Sequence, residues 1–250
     1  MKYTTYRSWE KRLRAAASAD SYALFHDHMR RLSLPEKPTT LAAEKENLII
    51  DAAQRRFAAF GLNKVTMDEI AADIGMSKAS LYYYFPTKEE LFKAVILHEQ
   101  QVFLSRLDEM LQTHLSCSGK LRRYATLRFE YFAEPVNLQL LNLQPWLWSR
   151  PIFRDLFESL AAEELKRLVN IMKDGQKSGE FKAHAALETA RVFLHALKGL
   201  GLRVLRPAPF QQELAGDLQE LASEMNLLAE LFLSGLRKPK LNRHKRMVHG

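Results

Sequence analysis

Apolar residues recur at spacings of three and four through most of this chain, and alternating strand patterns are absent, so the sequence predicts an all-α protein. Two short amphipathic helices come first, one aligning Trp9, Leu13, Ala16 and Ala17, the next aligning Tyr22, Phe25, Met29 and Leu32. Pro35 and Pro38 then break the pattern into an extended linker. A helix over 41–60 follows, with Ile49, Ala53, Phe57 and Phe60 on one face and Gly61 as its stop. Further helices are expected at roughly 92–113, 119–133, 136–148, 152–174, 184–203 and 211–236.

Residues 65–91 break this rhythm with three helix starts in close succession. Thr66 with Glu69 spells a capping box, Ser77 is a good N-cap, and Thr87 with Glu90 spells a second box. Between the first two helices Gly75 permits a left-handed corner, Ala71 allows close approach, and Ile70, Ile74, Met76 and Leu81 fill the space between. This is the sequence logic of a helix-turn-helix. Turning Leu81 and Phe85 inward leaves Lys78, Ala79, Tyr82 and Tyr83 on the outer face of the second helix, where they can enter a major groove. Phenolic hydroxyls can bond phosphate oxygens and rings can lie against sugar or thymine methyl, which accounts for three consecutive tyrosines better than solubility does.

Charge sharpens this picture by its position. The chain of 250 residues carries a net charge of +8. Residues 1–44 hold 8 basic and 5 acidic side chains, residues 45–236 hold 23 and 24, and residues 237–250 hold 6 and 0. The excess lies in the ends, so DNA binding has to rest on the central motif rather than on bulk charge.

Three segments carry a specific resemblance: Ile49 to Ala53 with Phe57 and Gly61, Val65 to Ala71, and Leu81 to Leu91. Together they resemble the DNA-binding domain of TetR-type transcriptional regulators over Lys45 to Leu91. The resemblance implies that Thr66, Tyr83, Tyr84 and Lys88 contact phosphates while Lys78, Ala79 and Tyr82 face base edges. Many members have histidine where this chain has Tyr84. The expected organisation is an N-terminal helical extension and linker (1–44), a three-helix helix-turn-helix domain (45–91), a larger helical ligand-binding and dimerisation domain (92–236), and a disordered basic tail (237–250).

In the last helix Leu214, Leu218, Leu221, Met225, Leu228 and Phe232 form a heptad-like seam, flanked by Leu227 and Leu231. One stripe is expected to pack on its own subunit and the other on a twofold mate, with the seam taken as the homodimer interface. The mate matters because a helix-turn-helix reading a pseudo-palindromic duplex works as a pair. Residues 129–157 hold seven aromatics, which reads either as plain core or as the wall of a ligand cavity. In the second case Phe103, Phe129, Trp146 and Phe157 line it, Glu130, Glu134 or His98 supply polar handles, and an apolar or aromatic-cationic compound is the inducer.

Other classes find less support. No G-x-S-x-G, P-loop, G-x-G-x-x-G or H-E-x-x-H pattern occurs, so neither enzyme activity, cofactor nor metal is expected. A single cysteine, Cys117, and the absence of a run of about 18 apolar residues point to a soluble cytoplasmic protein with no membrane partner. The expected function is a repressor released from its operator by a small lipophilic or aromatic ligand. The alternative is a DNA-binding regulator controlled by a protein partner through the 44-residue extension, or acting without a ligand.

Overall fold

A computed structural model describes residues 41–133, 151–202 and 214–238. The helices and linker expected before residue 41, the helix expected at 136–148 with Trp146, Glu134, the side chain of Leu214 and the basic tail from residue 239 on lie outside the described residues, while Arg237, expected in that tail from the sequence, is paired with Phe181.

Eight helices are described: α1 (Leu41–Phe60), α2 (Met67–Asp73), α3 (Lys78–Tyr84), α4 (Lys88–Leu111), α5 (Cys117–Ala133), α6 (Pro151–Lys177), α7 (Ala186–Leu202) and α8 (Leu214–Leu236). Strand-like pairing among these residues is limited to one antiparallel bridge, Phe181 to Arg237. The all-α expectation holds. Boundaries move where a cap decides them: Thr87 starts α4 earlier than the apolar pattern, and α6 runs on to Lys177, shortly before Gly179 at φ 77°.

The three starts are built as their side chains dictate. At Thr66 the box is complete: Glu69 N–H donates to Thr66 Oγ1 at 3.3 Å and Thr66 N–H to Glu69 Oε2 at 2.9 Å. Ser77 accepts from Ser80 N–H at 3.1 Å, and Thr87 from Glu90 N–H at 3.1 Å. Gly75 turns the corner at φ 64°, a conformation that glycine adopts without steric cost.

Two apolar cores result. The first gathers Ile49, Phe57, Val65, Ile70 and Leu81 with Leu91, Phe92, Val95 and Ile96 of α4, so it continues past Leu91. The second gathers Phe103, Leu107 and Met110 of the same α4 with α5, the later turns of α6, α7 and α8. Helix α4 therefore belongs to both, and its 24 residues span about 36 Å at 1.5 Å per residue. A second element crosses the same boundary: Leu156 and Phe157, early in α6, are buried in the first core.

Candidate nucleic-acid interface and regulatory core

Helix α3 presents the side chains its periodicity assigns. Leu81 is fully buried and Phe85 is buried, while Lys78, Ala79, Tyr82 and Tyr83 are exposed. Tyr83 is 84% exposed and Tyr82 39%, so the two rings point in different directions from adjacent positions. Tyr84 is half-buried against the first core and meets the Tyr83 ring edge-on at 5.5 Å.

Two lysines are already engaged within the chain. Lys78 pairs with Asp68 at 2.9 Å, with Tyr82 beneath its ammonium at 5.8 Å. The hydrogen bond to Asp68 raises the Lys78 pKa, and the pair is well exposed, so a phosphate or base can displace it at little cost. Lys88 is half-buried and donates to the carbonyls of Leu62 and Val65 at 2.8 and 2.9 Å, which ties the loop before α2 to the start of α4. Thr66 is exposed beside this loop. Sequence reasoning missed a polar link between the motif's helices: Arg56 of α1 holds Asp73 at the end of α2 at 2.5 and 2.7 Å. The Arg56 hydrogen bond holds the Asp73 carboxyl below its ordinary value.

The regulatory half departs further from expectation. Phe103 is buried and Phe129 half-buried in the second core, but Phe157 sits in the first, because the early turns of α6 pack over the DNA-binding end. Phe157 is therefore removed from the wall proposed around Phe103. Glu130 is also turned aside, paired with Arg123 at 2.8 Å. The charged groups buried among the described residues are Glu99, Arg128 and Glu164, at most 6% exposed. Each is a charged residue on the apolar face of its helix, a signal readable in the sequence beside Val95 and Phe103, Tyr124 and Phe132, and Phe157 and Leu168.

Their contacts form a chain between helices. Gln54 of α1 donates to Glu99 at 2.9 Å, and the Tyr131 hydroxyl approaches the same carboxylate at 3.4 Å. Glu164 accepts from the Tyr124 hydroxyl at 2.5 Å and lies 3.1 Å from Lys198 and 3.2 Å from Arg128. Burial pushes the Glu164 carboxyl up, but Arg128 and Lys198 outweigh it and hold it below its ordinary value. Burial lowers the Lys198 pKa and, helped by Glu164, raises that of Tyr124.

The dimer seam needs the same correction. Leu218, Leu221 and Met225 are 1–6% exposed within the single chain, and Leu228 and Phe232 are half-buried on that core. They close the subunit against α5 and α7; Phe193 and Phe232 stack at 4.6 Å. The flanking stripe is the one left outside, with Leu227 59% and Leu231 62% exposed, and Val192 on α7 60% exposed.

Known proteins share both the motif and the architecture. The family described as "Bacterial regulatory proteins, tetR family" matches residues 49–95. A transcriptional regulator from Cytophaga hutchinsonii is 38% identical, with a TM-score of 0.67 over 78% of this chain and 99% of that one. The chain belongs to the TetR-type transcriptional regulators. Another relative of this TetR-type protein is the HTH-type transcriptional repressor KstR2 of Mycolicibacterium smegmatis, 26% identical over 187 residues, covering 73% of this chain and 90% of the repressor. A structure of FadR from Bacillus subtilis in complex with stearoyl-CoA shares the fold at 22% identity, with a TM-score of 0.60 over 76% of this chain and 98% of that one. TetR-type regulators bind DNA, which fits the exposed face of α3. No described helix is long and apolar enough to cross a membrane.

Proposed function

We propose that this TetR-type regulator is a homodimeric repressor, released from a pseudo-palindromic operator when a small lipophilic or aromatic ligand binds its regulatory half. Lys78, Ala79 and Tyr82 are assigned to base edges, and Thr66, Tyr83 and the remaining donor capacity of Lys88 to phosphates. Tyr84, half-buried beside the Tyr83 ring, is assigned to a phosphate as well. Phe103 and Phe129 remain as apolar walls of the ligand site.

The observation that carries this reading is the shared helix α4. Its first turns are core to the DNA-binding end, its later turns are core to the regulatory half, and Gln54 grips it through Glu99. A shift at Phe103 is thereby felt at the foot of the helix-turn-helix. Control by a ligand is consistent with the Bacillus subtilis neighbour solved with stearoyl-CoA, and repression with the Mycolicibacterium relative's name.

The test is operator affinity measured on a duplex selected from a random pool, with and without compounds that raise the melting temperature. A ligand shifts the DNA equilibrium only by its difference in affinity for the two states, so affinity has to fall as the compound saturates. Unchanged affinity for every stabilising compound refutes ligand control and favours the protein-partner alternative.

The tyrosines are separable on the same duplex. Tyr83→Phe removes one hydroxyl and is expected to weaken selected and random DNA alike, by about 0.5–1.5 kcal/mol. Tyr82→Ala is expected to lose more on the selected duplex than on random DNA. Equal losses on both duplexes for both variants sink the division of roles.

A further inference from the structure

We propose that Arg128 is the anchor of an anion-binding site in the regulatory half, and that its ligand is a small organic carboxylate with an apolar body. This rests on the reading of the protein as a ligand-controlled regulator and names the class of ligand.

Arg128 is 4% exposed and caged by three rings, with its guanidinium carbon 4.9 Å from the centre of Phe103, 5.4 Å from Phe132 and 5.6 Å from Tyr131. Rings attract a cation over their faces but leave its in-plane N–H donors unserved. A guanidinium has five of these. Arg128 Nε is buried with no hydrogen-bond partner, its 3.2 Å approach to Glu164 being an ion-pair contact without hydrogen-bond geometry. No described residue accepts a hydrogen bond from the rest of the group.

Glu164 has little left to give. Its Oε1 already accepts from Tyr124 and its Oε2 faces Lys198, so one carboxylate serves two cations. The other buried carboxylate, Glu99, is engaged by Gln54 and Tyr131. One buried carboxylate therefore faces both Arg128 and Lys198, and the Arg128 Nε–H is left without an acceptor. A carboxylate answers this need in shape as well as charge, because its two oxygens match the planar fork of the guanidinium. Phe103 and Phe132 then offer the attached body an apolar wall, and the Lys198 side chain, 32% exposed, adds a second cation. The resident cation in the aromatic cage also argues against the aromatic-cationic inducer expected from sequence.

The experiment titrates full-length protein calorimetrically with octanoate and decanoate, the matching 1-alcohols, and octyltrimethylammonium. The acids are expected to bind more tightly than the alcohols by roughly tenfold or more, the worth of one charge-assisted hydrogen bond. Arg128→Met is expected to abolish that preference and Arg128→Lys to keep part of it. Lys198→Met, at a less buried position, should reduce it severalfold and serves if the Arg128 variants fail to fold. Melting without ligand checks the fold: Arg128→Met takes a counter-charge from the buried Glu164 and should lower the melting temperature, so binding is compared only among variants that still melt cooperatively.

The site is refuted if neither acid binds, if alcohols or the ammonium bind as well as the acids, or if the acids bind the Met variants unchanged. Operator affinity, read in the same samples, tells the two proposals apart. Acids that bind through Arg128 without moving operator affinity uphold the site and defeat ligand release. Octanol that releases the operator while octanoate does not upholds release and defeats the site.

Discussion

Leu227→Glu with Leu231→Glu is expected to convert the protein into folded monomers that no longer hold the operator. Both side chains are about three-fifths exposed, so charging them leaves the subunit core intact. Apolar exposure of this kind along α8, with Val192 on the neighbouring α7, is what a twofold mate would cover. Splitting the pair removes the advantage of two linked half-sites, so operator affinity should fall by roughly 10²–10⁴-fold. Sedimentation equilibrium reads the assembly and a binding isotherm reads the consequence. An unaltered dimer in the double variant eliminates this surface. Leu221→Glu offers the contrast, because Leu221 is 2% exposed and a charge there should abolish the cooperative melt itself.

Gly175→Ala should destabilise the regulatory half, although the same exchange in an open helix adds up to about 1 kcal/mol of stability. A Cβ at Gly175 would lie 2.2 Å from Phe181 Cδ2 and 2.9 Å from its Cγ, the root of the ring. The ring has little freedom to withdraw. Phe181 is 1% exposed, its N–H donates to the Gly175 carbonyl at 2.9 Å, and the next residue is fastened to Leu236 at 2.8 Å. Overpacking of this kind costs about 1–3 kcal/mol, enough to reverse the helix-propensity gain. Gly235→Ala is the control, since its Cβ meets nothing within 4 Å. Thermal melts at one fixed protein concentration compare the two. Equal or higher stability for Gly175→Ala would show that this packing is not tight.

What the sequence determined by itself was local. Thr66, Ser77 and Thr87 start their helices wherever the rest of the chain goes, because capping is settled within three residues. Gly75 turns the corner for an equally local reason, and Leu81 fixes which side of α3 is outside. The helix-turn-helix and its exposed Lys78, Ala79, Tyr82 and Tyr83 are therefore legible in the residue order alone. Periodicity names a buried face but not what buries it, and tertiary structure decided everything that depended on the partner. On α8 two apolar stripes compete, and only the packing of α5 and α7 takes Leu218, Leu221 and Met225 inward and leaves Leu227 and Leu231 outside. Phe157 went to the DNA-binding core because α6 is long enough to reach it. Glu99, Arg128 and Glu164 are far apart in sequence, and their charges acquire meaning only when α4, α5 and α6 bring them into one low-dielectric interior, where an ion's energy is set by its neighbours.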